Sequence, residues 1–227
     1  MINNRSVTGI ILAAGNSTRY GKNMNKNFEI INDIPIITYS LNIFNKNIYI
    51  DNILIAIKEE EIPLIENILK NNIYDKDINI VIGGNTRQES VYNCIRKTNS
   101  NIVIIHDGAR PLIQDDYINK CLEAMDYYKG ATVGVKSKDT VKITNDDNIV
   151  INTTIRCNTW IIQTPQCFDR KILLNAHEKY QNQNFTDDCY LLEKDGYNIK
   201  VLESDYSNIK ITTSNDLDII KKLVRKK

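Results

Sequence analysis

The 227-residue chain carries 29 Lys and Arg against 28 Asp and Glu, a formal net charge of +1. So even a balance excludes the broad basic footprint of a nucleic-acid or anionic-membrane binder, and any anion site must be local. A hydrophobic fraction of 42% is ordinary for a globular chain with a sizeable core, and the length suits one large domain, or one domain with an extension.

The segment VTGIILAAG, ending at Gly15, reads as a strand buried on both faces, the signature of a parallel sheet. A polar run with Arg19, Lys22 and Lys26 follows. IPIITYSLNIF has apolar residues at helical spacing, with Pro35 expected at the first helical position. NILIAIK predicts a strand, EEEIPLIENILK an amphipathic helix, DINIVIGG a strand, RQESVYNCIRK a helix, and NIVIIHDGARP a strand running into a loop. DDYINKCLEAMDYY predicts a helix and ATVGVK a strand. This alternation implies an open, mostly parallel sheet with helices on both faces and right-handed crossovers. It breaks between Lys136 and Trp160, where two weakly apolar strands flank the turn TNDDN and predict a protruding β-arm. IIQTPQCF then resumes the pattern, followed by helices DRKILLNAHEKY and TDDCYLLEKDG, strands NIKVLE and IKITT, and a final helix from Ser214.

The N-terminal MINNRSVTGI lacks the long apolar region of a signal peptide. No apolar run approaches the roughly 18 residues of a transmembrane helix. A soluble, cytoplasmic protein is expected. Five scattered cysteines argue against a disulfide framework or a zinc ribbon and for reduced, packed thiols.

Three strands end in unusual polar loops, and ligands of such sheets sit beyond the strands' carboxyl ends. In AAGNSTRYGKNMNK, a small-residue loop exposes backbone N–H groups, Arg19 offers a planar fork for phosphate, and Lys22 and Lys26 offer point charges. Neither a Walker loop nor a dinucleotide fingerprint is present, so a solvated loop is as good a reading of this stretch alone. In HDGARP, Asp107 is placed to hold Mg²⁺, or simply to form a turn. Arg110 could pair with a carboxylate, and His106 is expected as a buried, hydrogen-bonded imidazole. In GGNTRQES, Gly83 and Gly84 permit close approach of a planar group and Ser90 could bond a base or ribose. Asn85 or Thr86 could equally cap a helix, with Glu89 completing a capping box.

LAAGNSTRYG…NK, GGNTRQESV, HDGARP, KDTVK, QTPQCF, TDD and NIKITT stand in an order that resembles the 2-C-methyl-D-erythritol 4-phosphate cytidylyltransferases, from about Val7 to Leu223. The resemblance implies a Rossmann-like α/β sheet of the nucleotide-diphospho-sugar transferase type, spanning 1–227 as one domain with an arm at about 136–158. It implies a Mg²⁺-dependent enzyme joining CTP to a polyol phosphate with release of pyrophosphate. On it, Arg19, Lys26 and Lys210 match the catalytic cations, and Asp107 the metal-holding aspartate. Ala13, Ala14, Gly15, Gly84, Asn85, Ser90, Asp107 and Gly108 match nucleotide-binding positions. Asp139, Thr140, Arg156, Thr164 and Thr186 match substrate-side positions, although Thr186 could be a plain helix N-cap. The arm implies a homodimer in which each subunit completes the other's site, since an unsupported two-stranded ribbon is marginal in water. No nucleic acid or membrane partner is expected.

The sister family that makes CDP-ribitol is the runner-up: TDDC and Tyr206 lean its way, while LAAG, RQESV and HDGARP outweigh them. A non-catalytic nucleotide-binding module and a dinucleotide-dependent dehydrogenase are the other readings; the second lacks its glycine fingerprint. Two departures stand out. Asn25 occupies the place where the family usually has proline, so that NKN replaces PKQ, which questions the rigidity of the loop. Ser17 and Thr18 stand where glycine and a second basic residue are usual.

Overall fold

The structure, a computed structural model, describes residues 2–15 and 25–224. Arg19 and Lys22, with Ser17 and Thr18, lie outside the described residues. The chain opens with β1 (Val7–Leu12). A 3-10 turn over Lys26–Phe28 leads to a small hairpin, β2 (Ile30–Ile31) and β3 (Ile34–Pro35), and helix α1 (Ile36–Lys46). Alternation follows: β4 (Asn52–Ile57), α2 (Ile62–Lys70), β5 (Asp77–Ile82), α3 (Arg87–Lys97), β6 (Ile102–Asp107), α4 (Asp115–Ala124) and β7 (Gly130–Lys136). β8 (Lys142–Thr144) and β9 (Val150–Thr153) form a separate ribbon, and β10 (Trp160–Asp169) returns to the sheet. α5 (Arg170–Lys179), α6 (Asp188–Lys194), β11 (Ile199–Glu203) and α7 (Ser214–Val224) complete the described chain.

The main sheet has seven strands in the order β11-β7-β10-β6-β1-β4-β5. Pairs β1/β4, β1/β6, β4/β5 and β7/β11 are parallel. Alternate strand residues feed two cores, one on each face. Ile11 packs with Leu41, Phe44, Ile65 and Leu122 from α1, α2 and α4. Its neighbour Ile10 packs with Val91, Leu173 and Leu192 from α3, α5 and α6. Burial on both faces explains why these strands read as unbroken apolar runs. A smaller third cluster joins Ile31, Ile36, Leu112, Ile211 and Leu217, and so fastens α7 over the loop after β6.

The structure departs from the sequence expectations in four places. Pro35 is the N-cap of α1, not its first helical residue. Asn32 and Asp33 both take positive φ (48° and 62°), the tight-turn geometry that pairs Ile30 with Pro35 and draws Pro35 into a strand. The glutamates of EEEIPL form a 3-10 turn over Glu59–Glu61, and the α-helix begins only at Ile62. β10 runs antiparallel to both β6 and β7. The chain leaves β7, makes the arm and comes straight back beside it, as a hairpin must. IKITT is not a strand. Ile211 donates its N–H to Ala109 O at 2.9 Å, so the segment is stitched to the loop after β6 rather than to the sheet.

Candidate active site

Three strand-end loops meet at the carboxyl edge of β1, β5 and β6 around a cavity of about 280 Å³. Each loop is fixed by its own local chemistry. After β5, Thr86 caps α3 by accepting from Glu89 N–H at 3.0 Å, and Glu89 Oε2 accepts from Asn85 N–H at 2.7 Å. Ser90 Oγ accepts from Gly84 N–H at 3.1 Å and donates to Thr86 O at 2.9 Å. A Cβ on Gly84 would lie 2.2 Å from Glu89 Cβ, so this tight loop tolerates no side chain there. The helix-capping reading of GGNTRQES therefore holds, and Gly84, Asn85 and Ser90 of the same loop also line the cavity.

After β6, Asp107 is 7% exposed and is the hub of the site. Its N–H donates to Thr164 Oγ1 at 3.1 Å. Its carboxylate meets Lys210 Nζ at 2.8 Å, with Arg87 Nε and Arg110 Nε each at 3.7 Å. Burial by itself would raise its pKa; the three cations overcome that and hold the carboxyl well below the usual range. Arg87 also donates to Asp188 Oδ2 at 2.6 Å, and the buried Asp188 takes a second bond from His177 Nε2 at 3.1 Å. Arg110 is held from behind, by donation to Asn208 O at 2.7 Å.

His106 is fully buried beneath this hub. Nδ1 bonds Thr164 Oγ1 at 3.0 Å and Nε2 bonds Arg110 O at 3.2 Å. Burial pulls its pKa down to about 4, so the ring is neutral and structural, as the sequence implied.

After β1, Ala13 is sealed: its N–H donates to Ala56 O at 2.8 Å and its carbonyl accepts from Asn25 Nδ2 at 2.7 Å. Ala14 and Gly15 continue onto the cavity wall, and Lys26 and Asn27 re-enter opposite.

Of the sequence-predicted residues, Ala14, Gly15, Lys26 and Lys210 line the cavity, with Gly84, Asn85, Ser90 and Asp107. Ala13, Gly108 and Thr164 stand behind that wall. A Cβ on Gly108 would lie 2.9 Å from Asn27 Oδ1, so glycine is what lets the first and third loops touch. Thr140 and Arg156 meet elsewhere, at the base of the arm, where Arg156 donates to Thr140 Oγ1 at 2.8 Å. Asp139 is exposed nearby, and Thr186 is exposed before α6. The N-cap of α6 is Asp187, accepting from Tyr190 N–H at 3.0 Å, so Thr186 is not the cap. Arg19 falls outside the described residues. Sequence reasoning missed Arg87 and Thr212, both on the cavity wall, and Asp188 behind Arg87.

Among the described residues no group of three or more His, Cys, Asp or Glu forms a metal cage. Asp107 is the one carboxylate among the described lining residues. That fits Mg²⁺, which commonly takes one or two carboxylates and draws its other oxygens from phosphates and water.

Residues 7–226 match the sequence profile of 2-C-methyl-D-erythritol 4-phosphate cytidylyltransferase. The chain belongs to this family. The relative from Caldanaerobacter subterraneus subsp. tengcongensis that carries this name is 41% identical over 226 residues, covering 97% of this chain and 100% of the relative. That from Clostridium novyi is 41% identical, covering 92% of each. Among solved structures, the 4-diphosphocytidyl-2C-methyl-D-erythritol synthase of Anaerococcus prevotii superposes with a TM-score of 0.87 at 32% identity, covering 97% of this chain and 99% of that one. The Francisella tularensis 2-C-methyl-D-erythritol 4-phosphate cytidylyltransferase gives a TM-score of 0.79 at 31% identity, covering 96% and 99%. The family's fold, a mostly parallel α/β sheet, is the one seen here.

Proposed function

We propose that this chain joins CTP to 2-C-methyl-D-erythritol 4-phosphate, giving 4-diphosphocytidyl-2-C-methyl-D-erythritol and pyrophosphate. The observation that carries the reading is the cavity at the sheet's carboxyl edge, where Arg87 and Lys210 flank a single buried carboxylate and Lys26 lines the same cavity. Cations in excess of anions suit a triphosphate. The close-set backbone of Gly84, Asn85 and Ala14 suits a small planar base.

Attack by a phosphate monoester on the α-phosphorus needs no general base, since the nucleophile is already ionised. The neutral, doubly bonded His106 agrees with a site that moves no proton there. Catalysis then falls to positioning and charge. Lys26, and Arg19 from the same loop, would neutralise negative charge on the α-phosphate as it passes through the transition state. Lys210 would exchange its bond with Asp107 for the phosphates. Asp107 would then be the protein ligand of Mg²⁺, which supplies further charge neutralisation on the triphosphate.

The arm extends this reading to a homodimer. Val141, Ile143, Ile149, Val150, Ile151 and Ile155 are all exposed on it, an apolar surface of the kind a second copy would cover. Arg156 and Thr140, set on the arm, would hold the polyol phosphate at the other subunit's nucleotide site. A cytoplasmic location belongs to the same proposal, in keeping with five free cysteines. Among the described residues no helix is long and apolar enough to cross a membrane.

The test is pyrophosphate release from CTP with methylerythritol phosphate and with ribitol phosphate in turn. Turnover with the first supports the proposal, and turnover with ribitol phosphate alone moves the substrate to the sister activity. Nucleotide binding without turnover would mean a non-catalytic module.

A further inference from the structure

The described chain resumes at Asn25, a residue only 6% exposed. Its side-chain amide makes four hydrogen bonds. Nδ2 donates to Ala13 O at 2.7 Å and to Glu61 Oε2 at 3.0 Å. Oδ1 accepts from Asn27 N–H at 3.1 Å and from Asn27 Nδ2 at 2.9 Å. Ala13 O can only accept and Asn27 N–H can only donate, so these partners fix which end of the amide is which. Two acceptors on one side and two donors on the other form a socket that only an amide satisfies.

The socket ties together parts of the fold that are distant in sequence. Ala13 is the residue after β1, already bonded to Ala56 in β4. Glu61 ends the 3-10 turn that follows β4, and is itself only 9% exposed. Asn27 sends Nδ2 to Ala13 O as well, at 3.3 Å, and rests its Oδ1 against Gly108 beyond β6. Lys26 lies between Asn25 and Asn27, and both neighbours are thus anchored. Its carbonyl is held too, accepting from Glu29 N–H at 3.2 Å. Lys26 lines the cavity from this fixed base.

The backbone of Asn25 sits at φ −64°, ψ 124°, angles a proline would also adopt. The chain path therefore matches what a proline enforces, while the anchoring comes from the side chain instead. We infer that Asn25 is a positioning residue: its amide, clamped between Ala13 O and the Glu61 carboxylate, sets where Lys26 stands in the active cavity. This rests on the proposed cytidylyl transfer, in which Lys26 touches the reacting phosphate.

Asn25→Asp tests it in the full-length chain. The substituted carboxylate keeps the shape and still accepts from Asn27, but it opposes two acceptors, Ala13 O and Glu61. The expected result is a fall in kcat of about 30-fold with the KM for CTP within about threefold, as for a displaced group that acts mainly in the transition state. Adding Glu61→Gln supplies an amide donor facing the new carboxylate, and should recover about tenfold of the lost kcat through that one pair. A kcat for Asn25→Asp within about twofold of the parent, or a loss that Glu61→Gln leaves untouched while the melting temperatures agree, would overturn the inference. Should Asn25→Asp fail to fold, Glu61→Ala removes one wall of the socket. It should lower kcat about fivefold with CTP affinity kept; a parent-like kcat there overturns the inference equally. A parent chain that releases no pyrophosphate with either polyol phosphate is a different failure, and sinks the proposed activity along with the role built on it.

Discussion

Asp107 and Ile151 stand in two contrasting regions of one chain. Asp107 is 7% exposed, with Lys210, Arg87 and Arg110 all within 4 Å of its carboxylate. Ile151 is 67% exposed on a two-stranded ribbon that lies outside the main sheet. Around the cavity, Arg87, Arg110 and Lys210 are already paired with carboxylates of the chain itself. In the arm, apolar side chains stand exposed, and on the proposed dimer a second copy would cover them. Substitutions in the first region should therefore register in chemistry and stability of the isolated chain. Those in the second should register in substrate binding and assembly, and leave the fold alone.

Lys26→Ala should have the largest effect. On the proposed chemistry, in which this charge acts in the transition state, its removal should lower kcat by the order of 100- to 1,000-fold, with a much smaller change in the KM for CTP. Steady-state kinetics at varied CTP separate the two. Equal losses in both would make Lys26 a simple binding residue, and the preset character of the cavity would lose its catalytic meaning.

Arg87→Met comes next. It strips Asp188 of its 2.6 Å partner and Asp107 of one of its three cations. Stranding buried carboxylates in this way should cost about 3 kcal/mol, read as a lower denaturant midpoint. A loss below about 1 kcal/mol would mean that the network is solvated and not preset.

Arg87 also marks the limit of what the sequence discloses. The strand–helix alternation, the three polar loops and the buried His106 were legible because each is a local signal: an apolar run, a glycine pair, an imidazole at the end of an apolar strand. RQES signalled a helix start, and it is one, yet the partners that give Arg87 its place are Asp107 and Asp188, far along the chain. IKITT alternates like a strand, but Ile211 alternates into the cluster beneath α7 rather than across a sheet. The direction of β10 depended on how a long excursion closes, which no local pattern states. The missing proline before Lys26 pointed to a looser loop; its replacement is braced by Glu61, a residue with no motif of its own.

The cavity region should also be sensitive to acid. His106 has a folded pKa of about 4 against an ordinary 6.5, so the unfolded chain binds the proton first. The associated stability is complete above pH 6.5 and is lost as pH falls from there towards 4. Between pH 7 and pH 5 the loss should be about 2 kcal/mol, measurable by denaturant titration. His106→Gln, weaker overall, should flatten that slope. An unchanged slope would place the acid sensitivity elsewhere.

Arg156→Ala probes the other region and should be the mildest. Arg156 is exposed and bonds only Thr140 among the described interactions, so its removal strands no buried charge. The denaturant midpoint should stay put. What should change is the KM for the polyol phosphate, by about tenfold, the scale of one lost charge-assisted hydrogen bond, while the KM for CTP holds. The pattern matters more than the size. If CTP binding weakened instead, the arm would be serving the nucleotide, and the division between a preset charge site and a surface awaiting its partner would fail. If neither constant moved, Arg156 would be a solvated arm residue and the polyol phosphate would have to be held by the cavity alone.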